Sequence, residues 1–206
     1  MSAEPDTPPD SPPAAAQRFP ATADLVPITL AVLAIAAQVG GVDAFLWLRY
    51  DRAAVLGGQV WRLLTGHLVH LGWIHLAMNL AGLVLIWLLF GRTYNVGQWT
   101  VTVVACAVGI SLGFVMVHPE LMWYVGLSGV LHGMFVAGAV GGLFAGNRAE
   151  WLLLGLLVLK LFWEQHQGPM VGTEHMIGGL VVVDSHLYGA LLGLGAALGF
   201  RLAAKI

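Results

Sequence analysis

Apolar residues run through this chain in long stretches separated by short polar breaks. Six stretches come near the roughly 20 residues that a membrane-spanning helix needs: 25–41, 67–90, 96–117, 128–146, 150–166 and 185–204. The breaks between them are Arg92–Thr93, His118–Pro119–Glu120, Asn147–Arg148 and the Gly168–Pro169 region. Val42–Gly66 reads differently. It mixes Asp43, Arg49, Asp51, Arg52 and Arg62 with Phe45, Trp47, Tyr50 and Trp61, a balance suited to an interfacial, partly embedded loop. Residues 1–24 hold six of the nine prolines, four acidic residues and one arginine, Arg18. That segment cannot build a core and is expected to be a disordered tail; with no positive region leading into an apolar stretch, it does not read as a signal peptide. The pattern therefore predicts an all-α integral membrane protein: a tail over 1–24, then a six-transmembrane-helix domain over 25–206 with an embedded first loop.

Composition removes the alternatives. Of 206 residues 58% are hydrophobic and 10% charged, with a mean hydropathy of +0.82. A soluble domain carries about 25% charged residues, so a water-soluble fold is excluded. A net charge of −2 without basic blocks argues against a nucleic-acid partner. The single cysteine, Cys106, excludes a disulfide framework and a cysteine-rich zinc site. Arg92, Arg148, Arg201 and Lys205 fall on one side of a six-span layout, and the loops 118–127 and 167–184 carry no lysine or arginine. By the positive-inside rule both termini are then cytoplasmic.

On this topology the second, fourth and sixth spans all run from outside to inside. His75 and Asn79 lie near the start of the second, Ser128 begins the fourth and His186 begins the sixth. Residues far apart in sequence are thereby expected at one depth, towards the outer leaflet. Ser128 follows Gly126-Leu127, so it stands at a helix N-terminus whose unpaired N–H groups can stabilise an anion. His75 and Asn79, four apart, share a helix face and can both donate to a developing oxyanion. His186 can take the proton from Ser128 and return it to a leaving amine. Asp184, two residues before His186, points away from that ring on a continuous helix, so the pattern yields a Ser–His dyad without an acidic third member. Gly189 and Gly193 follow His186 at i+3 and i+7, and Gly129 and Gly133 stand beside Ser128. Small residues at such spacing let two membrane helices meet backbone to backbone, so the fourth and sixth spans are expected to touch with Ser128 opposite His186. A serine among glycines is by itself a common packing motif. Four costly polar residues at one depth are a stronger sign of function.

These residues resemble the rhomboid intramembrane serine proteases over nearly all of the chain after the tail. The matching pieces are Gln59-Val-Trp61-Arg62, His75-Leu-Ala-Met-Asn79, Gly126-Leu-Ser128-Gly129 and His186-Leu-Tyr-Gly189-Ala-Leu-Leu-Gly193. Gly126-Leu-Ser-Gly-Val-Leu-His-Gly133, Lys160 with Glu164, and Val183-Asp-Ser-His-Leu187 look like the rhombosortase subgroup. The resemblance implies a bacterial inner-membrane protease with its active site towards the periplasmic leaflet and no cofactor. Its partners would be transmembrane substrates that enter between the second and fifth spans, and membrane lipid; nothing calls for an obligate oligomer. The substrates implied are secreted proteins with a C-terminal tail of a Gly-Gly motif, a transmembrane helix and a basic end. Carried over by position, Ser128 is the nucleophile and His186 the base, while His75, Asn79 and the Ser128 N–H form the oxyanion site. Trp61, Arg62, Gly126, Gly129, Gly189 and Gly193 are expected to support the site or the substrate.

Where an aromatic often stacks on the catalytic histidine, this chain has His132, which can stack in the same way or compete as base; stacking is the favoured expectation. Lys160 and Glu164, at i and i+4 in the fifth span, read either as a buried ion pair or as a pair whose Glu164 recognises substrate. The His67, His70, His75 run has poor metal-ligand spacing, so no metal is expected. Trp47, Trp61, Trp73, Trp99, Trp123, Trp151 and Trp163 are expected in an interfacial belt. Two other readings stay open: a catalytically silent rhomboid-like binder of membrane clients, and a histidine-ligated electron carrier. A general rhomboid protease acting on other single-span substrates is the alternative within the class.

Overall fold

A computed structural model of the chain describes residues 21–204. After a 3₁₀ turn at Ala21–Asp24, helix α1 spans Leu25–Val39 and bends by 119° into α2, Gly41–Leu48. Strand β1, Tyr50–Asp51, leads to the short helices α3, Arg52–Leu56, and α4, Arg62–Thr65. The long helices α5, Trp73–Phe90, and α6, Val96–Val117, follow. Strand β2, Trp123–Tyr124, precedes α7, Ser128–Phe144, and then α8, Glu150–Gln167. A single turn of helix, α9 at Thr173–Ile177, joins α8 to the last helix, α10, Asp184–Ala203.

Local chemistry sets several of these boundaries. Asn95 and Gln98 form a reciprocal capping box that starts α6. Asp51 caps α3 by accepting the Ala54 N–H. Gly168, at φ +81°, ends α8 in a conformation that costs other residues dearly. Helix α7 is the centre of the bundle, contacted by α5, α6, α8 and α10. Its glycines and alanines let these neighbours approach closely. The outward faces are apolar: Leu88, Trp151, Leu152, Leu159 and Phe162 are all exposed. A surface of this kind suits lipid rather than water, and the chain is a membrane protein.

Among the described residues six long helices stand where six apolar runs were expected, but they do not all qualify as spans. By length and apolarity α5, α6 and α10 can cross a membrane, and α1 with α2 makes a fourth if the bent pair is one span. Helix α7 is 17 residues long, and α8 carries Glu150, Lys160 and Glu164. The second helix begins at Trp73 rather than at 67, because His67–Gly72 is held as loop by its own bonds and by the extended backbone of Gly72. Of the tail expected over 1–24, residues 1–20 lie outside the described residues, while 21–24 belong to the folded domain: Ala23 is buried and Asp24 accepts from Trp87 Nε1 at 2.8 Å.

The first loop is a built structure rather than a loose interfacial segment. Arg62 is buried and donates to the Leu46 and Arg49 carbonyls at 2.9 and 2.8 Å, and to Gln59 Oε1 at 2.8 Å. Trp61 stacks on Trp47 at 4.8 Å. His67 Nε2–H donates to the Ala107 carbonyl at 2.9 Å and lies 3.1 Å from Ser111 Oγ, which ties the loop to α6. Tyr50 and Asp51 pair with Tyr124 and Trp123 in an antiparallel ladder, so the loop also braces the segment that enters α7. Trp99 departs from the expected belt. It is fully buried and donates to the Gly91 carbonyl, part of the core rather than of an interface.

Candidate active site

Glycines bring α7 and α10 together. A Cβ at Gly189 would collide with the carbonyl oxygen of Gly129, and one at Gly193 with that of Gly133. A Cβ at Gly129 would stand 2.8 Å from the Ser185 carbonyl oxygen. The contacts advance in the same direction along both helices, so the two run parallel and their first turns lie level. Ser128 is the first residue of α7, and His186 is in the first turn of α10. Ser128 Oγ–H donates to His186 Nε2 at 2.9 Å, within the reach required of a nucleophile and its base. The expected meeting of these two helices is present.

The other face of His186 differs from the sequence reading, which left no acidic partner. His186 Nδ1–H donates to Glu164 Oε2 at 2.9 Å. The second oxygen of Glu164 accepts from Lys160 Nζ at 2.7 Å. Lys160 Nζ also donates to His132 Nε2 at 3.0 Å, and His132 Nδ1–H donates to the Ser128 carbonyl at 2.8 Å. The His132 ring lies on the His186 ring with centroids 4.1 Å apart and planes at 16°. Stacking is thus what the geometry provides. Both His132 nitrogens are occupied, and neither faces the serine hydroxyl.

Glu164 is 3% exposed, with one oxygen on Lys160 and the other on His186. It is committed to the protein rather than open to a substrate, which counts against the recognition role considered for it. Its signal in the sequence is a carboxylate inside an apolar helix. Asp184 points away from His186 as expected and lies 3.8 Å from His118 Nε2.

His75 and Asn79 sit in the first two turns of α5, both buried. His75 Nδ1 accepts the Leu71 N–H at 3.3 Å, so Nε2 carries the proton. Asn79 Nδ2 donates one hydrogen to the His75 carbonyl at 3.1 Å and keeps a second. Gly126 has φ +125°, and a Cβ there would stand 2.9 Å from His75 Cε1. Only glycine allows the chain to pass the histidine and turn into α7. Tyr124, which sequence reasoning did not single out, is buried and donates to the Gly126 carbonyl at 2.8 Å, securing the same turn.

Ser128, His186, His75, Asn79, His132, Lys160 and Glu164 all line one cavity of about 430 Å³. It reaches between α5 and α8, where Met78, Gly82 and Leu85 face Leu157, and it is roofed by Met170, Thr173 and Ile177 around α9. Trp61 and Arg62 are not among its walls; they hold the first loop. The potential ligand atoms of His132, Glu164 and His186 lie within 4.8 Å of one another, the one such group among the described residues. These atoms are already hydrogen-bonded, with the Lys160 ammonium among them, so a divalent cation would have to displace a positive charge.

The arrangement holds a hydroxyl against a base, fixes the base from behind, and surrounds the hydroxyl with N–H donors. Free N–H groups at the α7 N-terminus lie beside Ser128, with His75 Nε2–H and the Asn79 amide on the same cavity wall. This set of groups can carry out acyl transfer. The family model of the Rhomboid domain matches residues 57–203, a stretch that includes every residue of the cavity, and the chain belongs to the rhomboid family, whose members are generally intramembrane serine proteases.

Proposed function

We propose that the chain is an intramembrane serine endopeptidase in which Ser128 and His186 carry out the bond cleavage. The observation that carries this reading is the 2.9 Å contact between Ser128 Oγ and His186 Nε2. Ser128 Oγ attacks the scissile carbonyl while His186 Nε2 accepts its proton. The oxyanion is stabilised by the Ser128 N–H, His75 Nε2–H and the remaining Asn79 hydrogen; one such donor is worth about 2.7–4 kcal/mol. His186 then returns the proton to the leaving amine, and water resolves the acyl-enzyme. A transmembrane substrate enters between α5 and α8, along the wall formed by Met78, Gly82, Leu85 and Leu157.

On this reading all six long helices, α7 and α8 included despite the shorter length of one and the charges of the other, cross the bacterial inner membrane with both termini cytoplasmic. The cavity lies towards the outer leaflet, where water can reach Ser128. The preferred substrate is the C-terminal tail of a secreted protein: Gly-Gly, a transmembrane helix and a basic end. A substrate helix must unwind before its peptide bond can enter the cavity, and glycines lower that cost by about 1 kcal/mol each.

The test is co-expression with a membrane reporter bearing such a tail, alongside one whose Gly-Gly is replaced by Leu-Leu. The expected result is cleavage of the first reporter by wild type, none by Ser128→Ala, and slower cleavage of the second. Equal cleavage of both would support a general rhomboid protease over a tail-specific one. Unchanged cleavage with Ser128→Ala would refute the mechanism. Absence of cleavage with any single-span reporter would favour a client-binding protein.

A further inference from the structure

We propose that Glu164 is a positioning residue for the reaction, and that Lys160 sets which way its side chain can act. This deepens the Ser128–His186 reading and rests on it. An imidazole can serve as base at Nε2 only if its proton resides on Nδ1, and in isolation both tautomers are open to it. A carboxylate accepts and cannot donate. With Glu164 Oε2 placed 2.9 Å from His186 Nδ1, the proton is held on Nδ1 and the Nε2 lone pair is turned to Ser128 Oγ.

Lys160 makes that carboxylate tolerable. An isolated anion at membrane depth is costly, and pairing with an ammonium offsets the cost. Lys160 Nζ sits 2.7 Å from the oxygen that His186 does not use, so each oxygen has one partner. The same ammonium donates to His132 Nε2, which leaves the His132 proton on Nδ1 for the Ser128 carbonyl. One cation therefore fixes both stacked rings, His186 through Glu164 and His132 directly.

The proton moves only once in the first step. When Ser128 attacks, its proton passes to His186 Nε2; Nδ1–H stays on the imidazole and Glu164 stays ionised beside the new imidazolium. When the intermediate collapses, the Nε2 proton leaves with the amine. Glu164 neither gains nor loses a proton, and its part is to hold the ring in register.

The arrangement makes an unusual prediction about Glu164→Gln. In that variant Lys160 can only donate, so it holds the amide oxygen on its own side. The amide NH₂ is then turned to His186 Nδ1 and donates to it. The proton is forced onto Nε2, where it blocks transfer from Ser128. Adding Lys160→Met releases the amide, which can flip and present its oxygen to Nδ1 again. A second loss should therefore restore part of what the first removed.

The measurement is the rate at which a small fluorophosphonate labels Ser128 in the purified full chain, with thermal melting to confirm folding. A small probe makes no use of substrate-recognition contacts. Glu164→Gln is expected to label on the order of 10³–10⁴-fold slower than wild type, and Lys160→Met/Glu164→Gln at least about tenfold faster than Glu164→Gln alone. With a peptide substrate the loss should fall on kcat rather than KM. Should Glu164→Gln not fold, Glu164→Asp and Glu164→Asn repeat the comparison, the acid labelling and the amide not. A folded Glu164→Gln that labels within threefold of wild type would overturn the proposal, as would a folded double variant no faster than the single one. Failure of wild type itself to label at Ser128 would overturn the protease reading, and this proposal with it.

Discussion

The distance on which the site depends is set by the α7–α10 contact, and Gly129→Ala tests it. The new Cβ would stand 2.8 Å from the Ser185 carbonyl oxygen, 2.9 Å from Ile110 Cδ1 and 3.1 Å from Ser185 Cβ. The Cδ1 methyl of Ile110 can rotate away, but the backbone oxygen of α10 cannot. Ordinary contact at about 3.4 Å requires the two helices to separate by roughly half an ångström, and overpacking of this kind costs about 1–3 kcal/mol. Gly129 adjoins Ser128, and Ser185 adjoins His186, so the separation falls directly on the functional pair. A contact of 2.9 Å would open to about 3.4 Å, outside the 2.6–3.2 Å range of a working nucleophile and base. Since a misplacement of about 1 Å can cost 10²-fold, a loss of roughly tenfold is expected. Fluorophosphonate labelling measures the rate, and a melt in detergent measures the stability. Gly195→Ala and Gly199→Ala, in the partner helix α10 with nothing within 4 Å of a new Cβ, are the controls and should leave the rate unchanged and the melting temperature no lower. A Gly129→Ala protein with wild-type rate and melting temperature would refute the argument that helix contact sets the geometry.

Two further outcomes follow from particular residues. The His132 ring stacks on His186 at 4.1 Å, and such a pair contributes about 0.5–1.5 kcal/mol. His132→Phe should keep most of the labelling rate and His132→Ala lose up to roughly tenfold; a loss with His132→Ala as complete as with His186→Ala would make His132 a base. In the first loop, burial holds His67 down at about 4 and His70 at about 3, against an ordinary value near 6.5. Both are neutral in the fold, while the unfolded chain binds their protons below about pH 6.5. Stability should therefore be intact above that pH and fall as the pH drops towards 4, and His67→Gln should blunt the decline in a pH series of melts. A melting temperature flat from pH 7 to 4.5 would contradict this.

How legible the site was in the sequence depended on whether one helix or several decided the matter. Ser128, His186, His75 and Asn79 were placed at one depth by counting apolar runs, and the glycines beside Ser128 and His186 marked which helices meet. Glu164 was visible only as half of an i, i+4 pair with Lys160. Which way α8 rotates to aim its carboxylate is decided by packing against α7 and α10, and no local pattern in α8 records it. His67–Gly72 is apolar enough to pass for the start of a span, yet bonds from His67 to α6 hold it as loop. Arg62 was expected to support the site because Gln59-Val-Trp61-Arg62 matches the family's first loop. The three bonds that consume it go to backbone and to Gln59 within the same loop, so its environment became clear only in three dimensions.

Every step proposed for this site depends on Ser128 being a nucleophile activated by His186. The most direct measurement treats the purified chain with a fluorophosphonate and maps the adduct by peptide mass spectrometry. One adduct is expected, on Ser128, lost in His186→Ala while that variant still melts as a folded protein. An adduct on another residue, or undiminished labelling of Ser128 in folded His186→Ala, would contradict it.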